Sequence, residues 1–193
     1  MNERAIWSYL LNKLNNPYGA AALMGNLYIE SKLNPMNLQS SFARKSGMTD
    51  NSYTNAVDNG SYPMDQFVHD AAGYGLAQWT YWSRKQALYE FAKSRDASIG
   101  DLSMQLDYLW RELQSYKTVV DALAKATNVR DASDVIVKRY EKPAIQTEKL
   151  LQNRANCAQK YFDQFAEVEE RKMNTKRVYA TSNVNIRAGN SLS

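Results

Sequence analysis

Cysteine and histidine are almost missing from this 193-residue chain: Cys157 and His69 are single occurrences. A lone cysteine excludes an intramolecular disulfide and reads as a small apolar residue on a helix. One histidine and one cysteine cannot assemble a zinc site of the usual nitrogen and sulfur kind, and neither HExxH nor CxxC occurs. Zinc peptidases and zinc amidases are therefore disfavoured, and neither a metal nor another cofactor is expected. There is also no apolar run long enough for a membrane span or a signal peptide, and Met1 is followed by Asn2, Glu3 and Arg4. The expectation is a chain made in a cytoplasm without a signal peptide and with no membrane partner. Finally, Lys and Arg do not gather along any one helix face, which argues against a nucleic-acid partner.

What is present is a hydrophobic content of 44%, with 13 Tyr and 4 Trp, enough for one domain with a core and a short appendage. The net charge of +4 is spread along the chain and favours approach to a polyanion. Ile6, Trp7, Leu10, Leu11 and Leu14 recur at helical spacing, and Asn16-Pro17 supplies an N-cap and a first helical residue for a second helix from about Pro17 to Ser31. Residues from about Asn34 to Tyr74 are rich in Asn, Ser, Asp, Gly and Pro. They read as loops, with room for a small hairpin and a short helix near Thr49 to Asp58. A long irregular stretch inside a domain is often functional.

Helical periodicity returns over Trp82–Arg95, Leu102–Gln114, Thr118–Ala126 and Ala132–Glu141, the last stopped by Lys142-Pro143, and again from Ile145 to about Lys172. Asp101 and Asp131 suit N-caps. The fold class is mainly α, with a loop-rich or small β region between helices.

Two segments carry the chemistry. In AALMGNLYIESKLNP, from Ala21 to Pro35, the spacing of Leu23, Leu27 and Glu30 sets a carboxylate at the end of an apolar helical face. Left unpaired there, it would be partly desolvated and so held in the protonated form that a proton donor needs. The pattern equally allows Glu30 to lie at the rim and reach water. In HDAAGYGLAQWTYWSRK, from His69 to Lys85, Gly73 and Gly75 let backbone approach a ligand, and Gln78 can both donate to and accept from sugar hydroxyls and acetamido groups.

Together, GAAALMGNLYIESKLNP and HDAAGYGLAQWTYWSRKQAL resemble the phage tail lysozyme family. They are more distantly similar to goose-type lysozymes and soluble lytic transglycosylases, whose Gly-Leu-Met-Gln segment GYGLAQW resembles. RYEKP, Arg139 to Pro143, fits the same family, so the resemblance covers roughly the first 165 residues. It implies a lysozyme-like fold with a groove for peptidoglycan, and a muramidase acting on the β-1,4 bond between N-acetylmuramic acid and N-acetylglucosamine. Glu30 takes the catalytic acid position. Asp70, just upstream of GYGLAQW, is the choice for second carboxylate, with Asp50, Asp58 and Asp65 as other candidates. Ser31, Tyr74, Gly75, Gln78, Trp79 and Tyr81 are the expected substrate contacts.

Thr80 stands where goose-type relatives tend to carry an aspartate two residues beyond the glutamine, which leaves lytic transglycosylase chemistry open. A non-catalytic wall-binding or tail domain is the alternative from another class. The resemblance further implies a monomer made in the infected host cytoplasm, acting on the bacterial wall as an endolysin or in the virion tail.

The domain boundaries expected are 1–166 for the catalytic unit and 167–176 for a linker. The stretch RVYATSNVNIRAGNSLS, 177–193, is similar to the opening strands of bacterial SH3-type wall-binding domains and is too short to close a barrel of about 60 residues.

Overall fold

The computed structural model describes residues 2–166. The chain is mainly α, in keeping with a lysozyme-like fold. Helix α1 (Asn2–Leu14) buries Ile6, Trp7, Leu10 and Leu14. Asn15 turns the chain with φ at 49°. Asn16 then caps α2 (Pro17–Ser31), its side chain accepting from Gly19 N at 3.0 Å, with Pro17 supplying a helical φ and no surplus donor.

Every residue of α2 from Gly19 to Leu27 is buried. A helix that is apolar all round belongs at the centre of a domain, not on its surface. The first helix and helices from the second half of the chain pack against it, and its small residues set how close they come: a Cβ on Gly19 would fall 2.3 Å from Leu123 O, and one on Gly25 would fall 2.4 Å from Ala158 N. Beyond Leu27 the helix comes back toward the surface at Tyr28, Ile29 and Glu30, and Lys32, with φ at 55°, ends it by donating its N–H to Tyr28 O at 2.8 Å.

The segment expected to be loops holds three short helices, α3 (Ser40–Ser46), α4 (Asp50–Asp58) and α5 (Met64–His69). Thr49 and Ser52 form a reciprocal capping box for α4. Within the described residues the β content is two isolated antiparallel bridges, Leu38 with Tyr74 and Tyr74 with Trp79, which fold the 37–39 and 73–79 strips back on one another.

Then follow α6 (Trp82–Lys93), α7 (Leu102–Leu113, capped by Asp101 onto Met104 N at 2.7 Å), α8 (Lys117–Ala124) and α9 (Val129–Ile136). Asp131 does not cap α9; Asn128 does, accepting from Asp131 N at 2.9 Å, and Asp131 sits in the first turn. Helix α9 widens into a π turn, Val137–Glu141, which Lys142 stops with φ at 48°.

The last helix, α10, spans 148–166 and lies along α2 and α1, with Tyr18 stacked on Phe162 at 4.6 Å and Trp7 on Phe165 at 5.3 Å. The proposed linker at 167–176 and the SH3-type stretch at 177–193 lie outside the described residues.

Candidate active site

Glu30 occupies the exposed end of α2, where the central helix meets the solvent, and its side chain keeps 20% of its exposure. It opens into a groove of about 590 Å³. One wall of that groove is the folded strip with Gly73, Ala77, Gln78 and Thr80; the other brings Glu141 from the π turn, Pro143 just beyond it and Arg154 from α10. Tyr81, 62% exposed, and Trp82, 47% exposed, stand at and beside the mouth with ring centroids 5.9 Å apart. Trp82 also stacks on His69 at 6.5 Å, and the more exposed Tyr81 ring suits stacking on a sugar face.

The glutamate is not unpaired. Arg154 Nη2 donates to Glu30 Oε1, while Arg154 Nη1 donates to Asn26 Oδ1 at 3.1 Å. Asn26 is itself fixed, donating to Ser133 Oγ on α9 at 3.0 Å. Three helices thus hold one guanidinium against the carboxylate, which departs from the isolated, desolvated acid that the helical pattern allows.

The facing strip is built by amides. Gln39 Oε1 accepts from Gly73 N at 2.9 Å, and Gln78 Nε2 donates to Asn37 Oδ1 at 2.9 Å and to Gly75 O at 3.2 Å. A Cβ at position 73 would lie 2.8 Å from Gln78 Oε1, so a side chain there would push the Gln78 amide out of its place. Gly75 adopts φ +75° beside the buried Gln105, whose Oε1 accepts from Leu76 N at 2.9 Å. Ala71 and Gln78 both line the groove with positive φ, 56° and 47°. Such non-glycine backbone tends to cluster where a site demands it.

Asp70 lies apart from the groove. Its side chain is only 5% exposed and pairs with the fully buried Lys85; it also accepts from Tyr53 OH at 2.5 Å, Tyr62 OH at 3.3 Å and Ala72 N at 2.8 Å. Every acceptor direction is used inside the fold, and Asp70 does not line the groove. Burial lowers the Lys85 pKa and Asp70 works against that drop, so the pair serves the packing of the loop helices. Asp50 accepts from Asn34 Nδ2 and Leu38 N, Asp58 accepts from Ile99 N and Ser98 Oγ, and Asp65 is exposed beside His69; none of them lines the groove either.

Of the expected substrate contacts, Gln78 and Tyr81 line the groove. Ser31, Tyr74 and Trp79 do not: each is at most 1% exposed, Ser31 donating to Leu27 O, Tyr74 bonded to Thr54 and Trp79 donating to Glu112, so all three are engaged inside the fold. Gly75 shapes the strip from beneath.

Sequence reading missed Glu141, Arg154 and Arg84. Glu141 was inside the RYEKP run, but nothing in a run of charged residues at a helix end tells which of them turns inward. Its inward turn comes from the neighbouring Tyr140, which donates to Glu112 Oε2 at 2.5 Å while Arg84 grips the same carboxylate at 2.6 and 2.8 Å. Burial acts to raise the Glu112 pKa, but the hydrogen bonds from Arg84, Tyr140 and Trp79 hold it below the usual range. Anchoring Tyr140 on that side leaves Glu141 facing the groove across the π turn, a form of helix often found at functional sites. Among the described residues no group of three or more His, Cys, Asp and Glu side chains is placed to hold a metal ion.

Residues 1–165 match the family model described as phage tail lysozyme. The chain belongs to the phage tail lysozyme family. No match was found among curated proteins or among solved structures. Membership in this lysozyme family places the chain with phage enzymes that degrade the bacterial wall, peptidoglycan being the substrate class. The match ends at the residue where α10 is closing, so the whole packed helical unit is the family's unit.

Proposed function

We propose that this phage tail lysozyme is a muramidase that hydrolyses the β-1,4 bond between N-acetylmuramic acid and N-acetylglucosamine, with Glu30 as the general acid. The observation that carries the reading is the position of Glu30: a carboxyl at the C-terminal end of a buried central helix, opening into a groove with an amide on its far wall. A glycan strand presents hydroxyls and acetamido groups to Gln78 and the neighbouring backbone, and a sugar face to Tyr81. Glu30 delivers a proton to the bridging oxygen as the bond to C1 breaks, and the oxocarbenium-like sugar is stabilised by the negative charge remaining in the groove. The +4 net charge assists approach to an anionic wall.

The proposal extends to the chain acting as a monomer on peptidoglycan after synthesis in the infected cell, as an endolysin or as part of the tail.

The test is Glu30→Gln, which keeps the size and the contact with Arg154 while removing the proton. Clearing of cell-wall suspensions is expected to fall by about 10²- to 10⁴-fold with the thermal unfolding transition retained. Activity within a few-fold of wild type would remove Glu30 from the mechanism.

A further inference from the structure

The groove holds a second carboxyl that the mechanism above leaves idle. Glu141 ends the π turn and lines the same groove as Glu30 and Arg154. Its Oε1 is buried and has no hydrogen-bond partner among the described residues. An anionic oxygen in that setting is costly, whereas a neutral carboxyl is not.

The charges facing Glu141 are Glu30 from α2, Arg154 from α10, Arg84 from α6 and Glu112 from α7. Both cations already have a carboxylate, Arg84 that of Glu112 and Arg154 that of Glu30. Glu141 is the surplus acid of the cluster. Burial, and next the charge of Glu30, push its carboxyl from the ordinary 4.5 up to about 8.

We propose that Glu30 and Glu141 form one carboxyl pair that holds a single proton, stored on Glu141 while the groove is empty and passed to Glu30 when a glycan strand is in place. The inference rests on Glu30 being the acid, and it answers a difficulty in that reading. Arg154 Nη2 donates to Glu30 Oε1, so that oxygen is already engaged as an acceptor and has no proton to offer. Passing the proton from Glu141 to Glu30 leaves Glu141 as the anion beside the same guanidinium, so the net charge of the cluster is unchanged. Glu30 then protonates the bridging oxygen as the C1–O bond breaks and its electron pair stays on that oxygen. Water adds to C1, and the proton it releases returns to the pair. One glycosidic bond and one water are consumed, two hydroxyls are formed, and the pair again holds one proton. Glu141 is in this account a positioning residue for the proton and acts through Glu30.

Glu141→Gln preserves the shape but cannot release a proton. On soluble glycan fragments kcat is expected to fall about 100-fold with KM nearly unchanged, and the alkaline limb of the rate profile, set near pH 8 in the wild type, should move to lower pH. Infrared difference spectra of the unliganded wild-type protein give a readout free of turnover: a protonated carboxyl C=O band should vanish on titration through about pH 8 and be missing from the Glu141→Gln protein.

A Glu141→Gln enzyme with wild-type kcat and an unmoved alkaline limb would overturn the pair. So would a wild-type spectrum without that band, which decides the matter even if the variant fails to fold. The failures are separable: an active Glu30→Gln enzyme sinks the glycosidase mechanism itself, while an inactive Glu30→Gln beside a normal Glu141→Gln sinks only the pair.

Discussion

Glu30 and Asp70, the two carboxylates expected at the site, lie in different surroundings, and depth separates them. Glu30 emerges with its helix, whereas Asp70 lies beneath the loop helices, paired with the fully buried ammonium of Lys85. Removing one partner of a buried ion pair leaves the other charge stranded. Asp70→Asn is therefore expected to destabilise the fold by about 3–5 kcal/mol while the specific activity of the folded fraction stays close to wild type. Denaturant unfolding alongside activity measured below the transition checks this; a stable but inactive Asp70→Asn protein would return Asp70 to the chemistry.

The pH dependence of stability carries two signs. The Glu112 carboxyl is lowered in the fold, so its contribution is present above 4.5 and is lost as pH falls through its folded value. The Glu141 carboxyl is raised, so its contribution is full below 4.5 and lost as pH rises through about 8. Thermal melts across that window should show wild type losing stability with rising pH more steeply than Glu141→Gln. Equal slopes would mean that Glu141 is ionised throughout. A motif and a helical face converge on Glu30 in the sequence, and the structure sets its side chain in the groove. The depth of Asp70 was not legible, since sequence spacing carries no information on which side of a turn is solvent, and the Lys85 that claims it belongs to the next helix.

Among the elements, the long helices were legible wherever an apolar period runs over several turns. Helix α2 starts at the Asn16-Pro17 junction and ends at Ser31, short of Pro35. The short helices α3 and α5, of seven and six residues, were not, because less than two turns cannot display a period. Their composition of Ser, Asp and Met mimics that of loops. The central place of α2 was half legible: its pattern was read as one apolar face, but small residues on the other sides, Gly19 and Gly25 among them, admit neighbours all round.

That crowding predicts the effect of Gly25→Ala. Alanine normally favours a helix, yet here its methyl group meets the backbone of Ala158 on α10. A net loss of about 1–3 kcal/mol is expected, together with reduced activity, because α10 carries the Arg154 that faces Glu30. A chemical-denaturation midpoint at or above wild type would show that α10 is not held as closely as described.

For the whole molecule, the buried core runs from Ile6 to Ala166, and the family match covers residues 1–165. A chain ending after residue 166 should accordingly keep its melting temperature and its rate on soluble glycan fragments; loss of the folded state on truncation would make the remaining segment integral to the domain. At this scale the sequence was most informative, since two spaced motifs and the helical periods pointed together to a mainly α lysozyme-like unit. The groove was less so, because its two walls are brought together from positions 30, 73–81, 141 and 154 by packing alone.

The central claim is that this groove cuts the wall glycan after muramic acid through the acid Glu30. Mass spectrometry of fragments released from purified sacculi tests it most directly. The wild-type protein should release fragments with reducing N-acetylmuramic acid ends and the Glu30→Gln protein essentially none. Fragments with 1,6-anhydromuramic ends, with reducing glucosamine ends, or in equal yield from the variant would contradict it.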